Sequence, residues 1–248
     1  MAYTLNNSIT YAQAFINGLN PTVYAGSEPA MTSANTVVSL MTNAPFTWPW
    51  NRSISTQLLT QGTQDYAISI SNFGFLEKCT ISIGAGSPPT TIVPTLVELD
   101  TVLNTRPLGL TSQSGRPNAV AVQYTSAGTS ATFRFSPNPD QAYNATLIFQ
   151  RTPTAFTATA QDWLTQCGIP YSYMDIFNPL FLSEMFQFSN DNERAVMYRQ
   201  RGMAALLSKS EGLSQMQKSE ILGQWMQDNL QTVAANLKTQ QASQARAT

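Results

Sequence analysis

The sequence predicts an α+β protein: two N-terminal helices, an antiparallel β-sandwich or small barrel, and a C-terminal helical region. Two observations carry that expectation. From Ile54 to Arg151, short runs alternate apolar and polar residues at the period of two that half-buried strands require, with Gly, Pro and Asn turns between them. Before Ala44 and after Thr157 the apolar residues recur at intervals of three and four, the spacing of a helix face. These shifts set expected boundaries at 1–53 for the helices and a Trp-Pro connector, 54–152 for the β-domain, and 153–248 for the helical region. A chain of 248 residues is long enough to bury a sizeable core.

The elements follow in order. Ser8–Leu19 reads as a helix with a Ser cap and Tyr11, Ala14, Phe15 and Leu19 on one face, stopped by Asn20-Pro21. Ser27-Glu28-Pro29 opens a second helix with a cap, an acidic first-turn residue and a proline that needs no amide partner there. Its apolar stripe is Met31, Ala34, Val37, Val38 and Met41. Ala44–Arg52 holds two prolines and three aromatics, so it is an extended connector rather than helix or central strand.

Ile54–Leu59 and Gln64–Ile70 bracket a Gln-Gly turn and read as a hairpin. Phe75–Ile83 alternates, with Phe75, Glu77, Cys79, Ile81 and Ile83 on one face. Gly84–Thr91 is a Gly/Pro-rich loop. Thr95–Leu103 reads as strand or short helix, and Leu96, Leu99 and Leu103 favour helix. Thr105–Asn118 is a long loop. Ala119–Tyr124, Ala131–Phe135 and Tyr143–Gln150 form a β-meander, turning at Thr125–Thr129 and again at Ser136-Pro137-Asn138-Pro139-Asp140. Asp140 is expected to accept a local amide or to pair with Arg116 or Arg151.

Beyond the Thr152–Thr157 linker, Thr159–Gln166 is a short helix with Trp163 and Leu164 inward, ended by Gly168 and Pro170. Tyr171–Phe188 is aromatic-rich and is expected to break at Asn178-Pro179. Asn190–Ser208 is capped by Asn190 or Asp191. Ser214–Gln240 opens on a Ser-x-x-Gln capping box and carries a stripe of Met216, Ile221, Leu222, Trp225, Met226, Leu230, Val233 and Leu237. Such a stripe must lie on its own domain or on another protein. The polar residues after it fray unless a partner orders them.

Only 11% of residues are charged, well below the roughly 25% of ordinary soluble domains, which suits a protein packed against copies of itself. A net charge of −1 argues against a free binder that neutralises many phosphates. Histidine is absent, which removes the commonest general base and metal ligand. No glycine-rich phosphate loop occurs, and neither Glu98/Asp100 nor Asp191/Glu193 has the apolar setting of a general acid. The expectation is a non-enzyme without cofactor or metal. Cys79 and Cys167 read as buried free thiols of a protein made in a cytoplasm. No apolar run approaches the roughly 18 residues of a membrane span.

Several stretches together carry a resemblance: Ala44–Asn51 (APFTWPWN) after an amphipathic helix, Gln64–Ile68 (QDYAI), Gly115–Pro117, Ser136–Tyr143 (SPNPDQAY) and Leu147–Pro153 (LIFQRTP). In this order they resemble structural proteins of tailed-bacteriophage virions, in particular head-to-tail connector or adaptor proteins of short-tailed phages. The resemblance implies a ring of identical subunits beneath the portal, contacting portal and tail proteins and extending a channel through which double-stranded DNA passes without sequence-specific binding. It also implies a virion location after synthesis in the host bacterial cytoplasm, with no membrane partner. Interface candidates are Trp48, Trp50 and Arg52 in the connector, Arg116 and Asp140 at the β-domain turns, and Arg199, Arg201 and Trp225 on the C-terminal helices. Other readings are a tail-tube, nozzle or capsid-associated subunit, or a carbohydrate-binding β-sandwich using exposed tryptophans.

Overall fold

The computed structural model describes residues 2–16, 29–70, 72–83, 91–100, 114–124, 130–224 and 227. The expected end of the first helix at Leu19, the Ser27-Glu28 cap, the hairpin tip around Gly128 and the loops at 84–90 and 101–113 lie outside them. So do Trp225 and the stripe beyond it. The chain forms two compact units, one from Met1–Met41 with Pro153–Thr248 and the other from Thr42–Thr152.

The second unit holds two four-stranded sheets whose apolar faces share one core, a sandwich-like arrangement with no closed barrel among the described residues. The first sheet has the order β1 (Arg52–Leu59), β10 (Tyr143–Arg151), β3 (Phe73–Ile83), β4 (Thr91–Ile92). The second has β2 (Asp65–Ser69), β8 (Ser130–Ser136), β7 (Ala119–Tyr124), β5 (Thr95–Leu96). A short parallel pair, β6 (Ser114–Gly115) with β9 (Asn138–Pro139), closes one corner. The core between the sheets includes Leu59, Ile68, Phe133, Phe135, Leu147 and Phe149.

Strand pairing departs from the sequence expectation at two places. β1 and β2 are not a hairpin: β1 pairs with β10 and β2 with β8, so the chain changes sheets between them. Gly62, at φ 76°, supplies the turn. The Tyr66 hydroxyl fixes it, accepting from the Thr60 amide at 2.8 Å and lying 3.0 Å from the Thr60 and Thr63 carbonyls. Likewise only β7 and β8 pair as expected; β10 crosses to the other sheet instead of completing a meander. In both cases crossing keeps each strand's apolar side on the shared core.

β3 also departs from simple alternation. Register shifts opposite Ile148/Phe149 and Gln150/Arg151 put Phe73, Leu76, Cys79 and Ile81 inside, and move Glu77 off the face that alternation assigned to it. A bulge re-aims side chains in this way. Gly74 is required beside it, because a Cβ there would stand 2.8 Å from the Gln150 carbonyl oxygen. Thr95–Leu96 resolves as strand, pairing in parallel with β7.

The first unit is helical: α1 (Leu5–Gln13), α2 (Ala30–Thr42, whose last residue falls in the other unit), α3 (Trp163–Cys167), α4 (Met174–Phe188) and α5 (Asn192–Lys209). α1 starts after Thr4, not at Ser8; the Thr4 amide donates to Asn7 Oδ1 at 2.8 Å and the Leu5 and Asn6 amides find the Gln161 and Thr159 carbonyls. Ser8 is buried inside the helix. In α3, capped by Asp162, Trp163 and Cys167 face inward four residues apart while Leu164 is exposed, correcting the expected orientation.

Pro179 does not break α4, which runs unbroken with the proline at its sixth residue. One missing hydrogen bond and its strain cost about 3 kcal/mol. Ten buried residues in the helix, among them Ile176, Phe177, Leu180, Phe181 and Met185, outweigh that at roughly 1.5–3 kcal/mol for each large apolar side chain. α5 is capped by Asp191, whose carboxylate accepts from the Arg194 amide. Residues 215–224 are helical, and the expected capping box is present: Ser214 N donates to Gln217 Oε1 at 2.9 Å and Gln217 N to Ser214 Oγ at 3.3 Å.

Cys79 and Cys167 are free and buried, and burial pushes both thiols up to about 12. Folded protein therefore leaves both unreactive to an aqueous thiol reagent at neutral pH, and unfolding without reductant releases two. Rapid labelling of either before unfolding would contradict this packing.

Candidate functional site

The connector expected to carry an interface is built into the β unit by a network of side chains. Pro45 and Pro49 deprive it of amide donors, so the remaining backbone polar groups need other partners. Gln150, fully buried at the end of β10, supplies them. Its Oε1 accepts from the Trp48 amide at 3.1 Å, and its Nε2 donates to the Trp48 carbonyl at 3.3 Å. The same Nε2 donates to Glu77 Oε2 at 2.8 Å. Arg52 closes on that carboxylate with both arms, Nε at 2.9 Å and Nη2 at 2.6 Å. Asn51 Nδ2 donates to the Arg151 carbonyl at 2.6 Å, and Arg151 Nη2 to the Trp50 carbonyl at 3.2 Å.

Trp48 is fully buried and Trp50 stacks on it at 6.0 Å and 26°. Trp48 thus offers no face to a sugar. Arg116 and Asp140 lie in the β6–β9 corner, where the Asp140 amide donates to the Gly115 carbonyl and its carboxylate accepts from the Tyr143 hydroxyl at 2.5 Å. No ion pair joins Asp140 to Arg116 or Arg151 among the described residues; the tyrosine, three positions on, is its partner. Burial, then this hydrogen bond, raises the Tyr143 hydroxyl's pKa.

In the helical unit, Arg199 reaches from α5 to Glu184 of α4 at 3.1 Å. Burial pushes the Glu184 carboxyl up, against the pull of Arg199. Arg201 is exposed on α5. The structure therefore brings Trp48, Trp50 and Arg52 together, Arg116 and Asp140 together, and places Arg199 and Arg201 on one helix. Gln150, Glu77 and Asn51 were missed. The sequence signal was the pair Phe149-Gln150, where a polar residue follows the last apolar position of a strand; the bulge that delivers Glu77 leaves no such mark.

No cluster of three or more metal-ligating side chains exists among the described residues. Trp48 is buried, and Arg52 and Arg199 are paired with Glu77 and Glu184 of their own units. The sequence model of the family described as SU10 adaptor protein matches residues 27–228. The chain belongs to the SU10 adaptor protein family. This makes it a structural adaptor component of a phage virion that contacts other virion proteins. The match reaches into both compact units and covers α2, the Trp-Pro connector, the sandwich and helices α3 to α5 of this adaptor, leaving α1 outside it. No curated protein matches the chain. No helix of the described residues is long and apolar enough to cross a membrane.

The connector network predicts a pH signature. Burial alone would raise the Glu77 carboxyl, but the hydrogen bonds from Arg52 and Gln150, with the Arg52 charge, outweigh it and hold the pKa below the usual glutamate value. A depressed folded pKa contributes stability fully above the unfolded value and loses it as pH falls through the folded one. Glu77→Gln should destabilise the protein at neutral pH by about 1–3 kcal/mol. In denaturant titrations the gap to wild type should shrink as pH falls below about 4; a gap independent of pH would contradict the assigned role.

Proposed function

We propose that the chain is the subunit of a ring-forming adaptor that sits beneath a phage portal, joins it to the tail and lengthens the channel for double-stranded DNA. The DNA passes without sequence-specific contact. Synthesis takes place in the host bacterial cytoplasm, and the assembled ring belongs to the virion. Family membership supports the adaptor role, and the low charge of the chain suits a life in self-contact.

The observation that carries the reading is the last helix. It begins at a satisfied capping box, yet no residue from 214 to 224 is buried, and Met216 is 81% exposed. In the sequence the apolar stripe goes on through Ile221, Leu222, Trp225, Met226, Leu230, Val233 and Leu237. Ile221 and Leu222 are only half-buried on the described part of this helix, and the stripe that follows them in the sequence needs a further surface to cover it. A neighbouring subunit or the portal provides it, and Trp225 is the central anchor, as tryptophans are at interface hot spots.

Deleting residues 214–248 should leave a folded protein with near wild-type thermal unfolding that no longer co-sediments with a portal ring. A truncated chain that still binds the portal and assembles as the full chain does would remove the helix from the interface.

A further inference from the structure

The β unit has two lateral edges: β1 and β2 end the two sheets on one side, β4 and β5 on the other. β1 is the longest of these, eight residues paired with β10 on one side only, in unbroken register. Natural edge strands are kept from pairing with other chains by brevity, lysine, proline or bulges. β1 has none of these, and its one charge, Arg52, is engaged by Glu77. Ile54 and Leu58 on its outer face are 64% and 56% exposed.

The opposite edge exposes a second apolar pair, Val93 at 57% and Leu96 at 42%. Just beyond it Glu98 and Asp100 are exposed, with no ion-pair partner among the described residues. The registers set the level of these acids. β5 runs parallel to β7, so residues after Leu96 head toward Tyr124, which is level with Ala131 of β8 and Ile68 of β2. Since Leu59 and Asp65 flank the turn at the other end, Arg52 stands at this same end of the sandwich. Arg151, on the neighbouring strand β10, lies there too, giving two cations on that side against the single carboxylate of Glu77, whereas Lys78 stands on β3, next to β4.

We propose that the β1 edge of one copy packs against the β4–β5 edge of a second copy of this chain. Ile54 and Leu58 meet Val93 and Leu96, and the cationic end of the β1 edge faces Glu98 and Asp100. The two surfaces differ, so the contact is heterologous and repeats head to tail until it closes into a ring. An eight-residue strand is about 26 Å long, and two sheets about 10 Å apart with their side chains make an edge about 20 Å deep. The contact then covers on the order of 500 Å² per partner, about 1,000 Å² in all, the lower bound of a specific interface. The inference rests on the ring reading above and adds which surfaces touch.

The test uses full-length wild type, Ile54→Lys, the double variant Glu98→Lys/Asp100→Lys, and that double variant with Arg151→Glu added. Assembly is followed by sedimentation and negative-stain imaging, alone and with a portal ring, beside a thermal unfolding curve for each. Wild type should form rings, while Ile54→Lys and the double variant, with unchanged unfolding, should need about tenfold or more protein to assemble. Adding Arg151→Glu should recover part of the loss. If wild type forms rings and both variants assemble at the wild-type concentration, the edge pairing is wrong and the ring reading stands. If only Ile54→Lys is impaired, something other than the β4–β5 edge covers β1, and the proposal again fails. If wild type stays monomeric under both conditions, the ring reading falls and this inference with it. Should Ile54→Lys lose its unfolding transition, the charge variants alone decide.

Discussion

A primary amide at the end of β10 is the constraint on which the β unit depends. Gln150 stands fully buried between the Trp48 backbone and the Glu77 carboxylate, and each of its two polar atoms is engaged. An apolar replacement would take from the Trp48 amide the acceptor that Gln150 gives it and leave the Trp48 carbonyl with the Asn51 amide at 3.1 Å, a loss of about 1–3 kcal/mol for a buried donor deprived of its bond. The rest of that end of the sandwich follows from this bond pattern. Glu77 reaches the amide only because β3 bulges, the bulge brings Gly74 against the Gln150 carbonyl, and the carboxylate requires Arg52 to neutralise it. The prolines that strip the connector of donors are tolerated for the same reason: a side chain supplies the pairing that a neighbouring strand would otherwise give.

That network uses the most conspicuous aromatics of the chain internally, which redirects attention to other surfaces. Trp48 looked like an interface anchor by composition, and it is packed under its own unit's side chains. Exposed apolar residues lie elsewhere: Ile54, Leu58, Val93 and Leu96 at the lateral edges of the sandwich, Met216 on the last helix, and others such as Leu164, Phe188 and Met197 on the helical unit. The helical unit gives that helix a firm base. α4 and α5 are joined by Glu184–Arg199, by Ser183 donating to the Ala195 carbonyl at 2.7 Å, and by the stacking of Phe186 on Tyr198.

Much of the secondary structure was legible because it is set locally: alternation for β7, β8 and β10, Asp191 and Ser214 as caps, and the stripe through Ala34, Val37, Val38 and Met41 in α2. Strand pairing was less so. Adjacent strands Ile54–Leu59 and Gln64–Ile70 have the sequence of a hairpin, and only the position of the common core decides that they belong to different sheets. Pro179 misled in the same way, since the local rule for proline is outweighed by the burial of its neighbours in α4. The family role was legible through the Trp-Pro connector and the Pro-Asp turn taken in order, whereas Gln150 is marked in the sequence only as a polar residue after the last apolar position of a strand, and Glu77, delivered by a bulge, is not marked at all.

Imaging purified full-length protein together with a purified portal ring, by electron microscopy with class averaging, tests the central claim most directly. The account predicts closed rings of this chain stacked coaxially on the portal, with density for the C-terminal helices at the junction. Portal rings that remain bare beside dispersed single copies of the chain would contradict it.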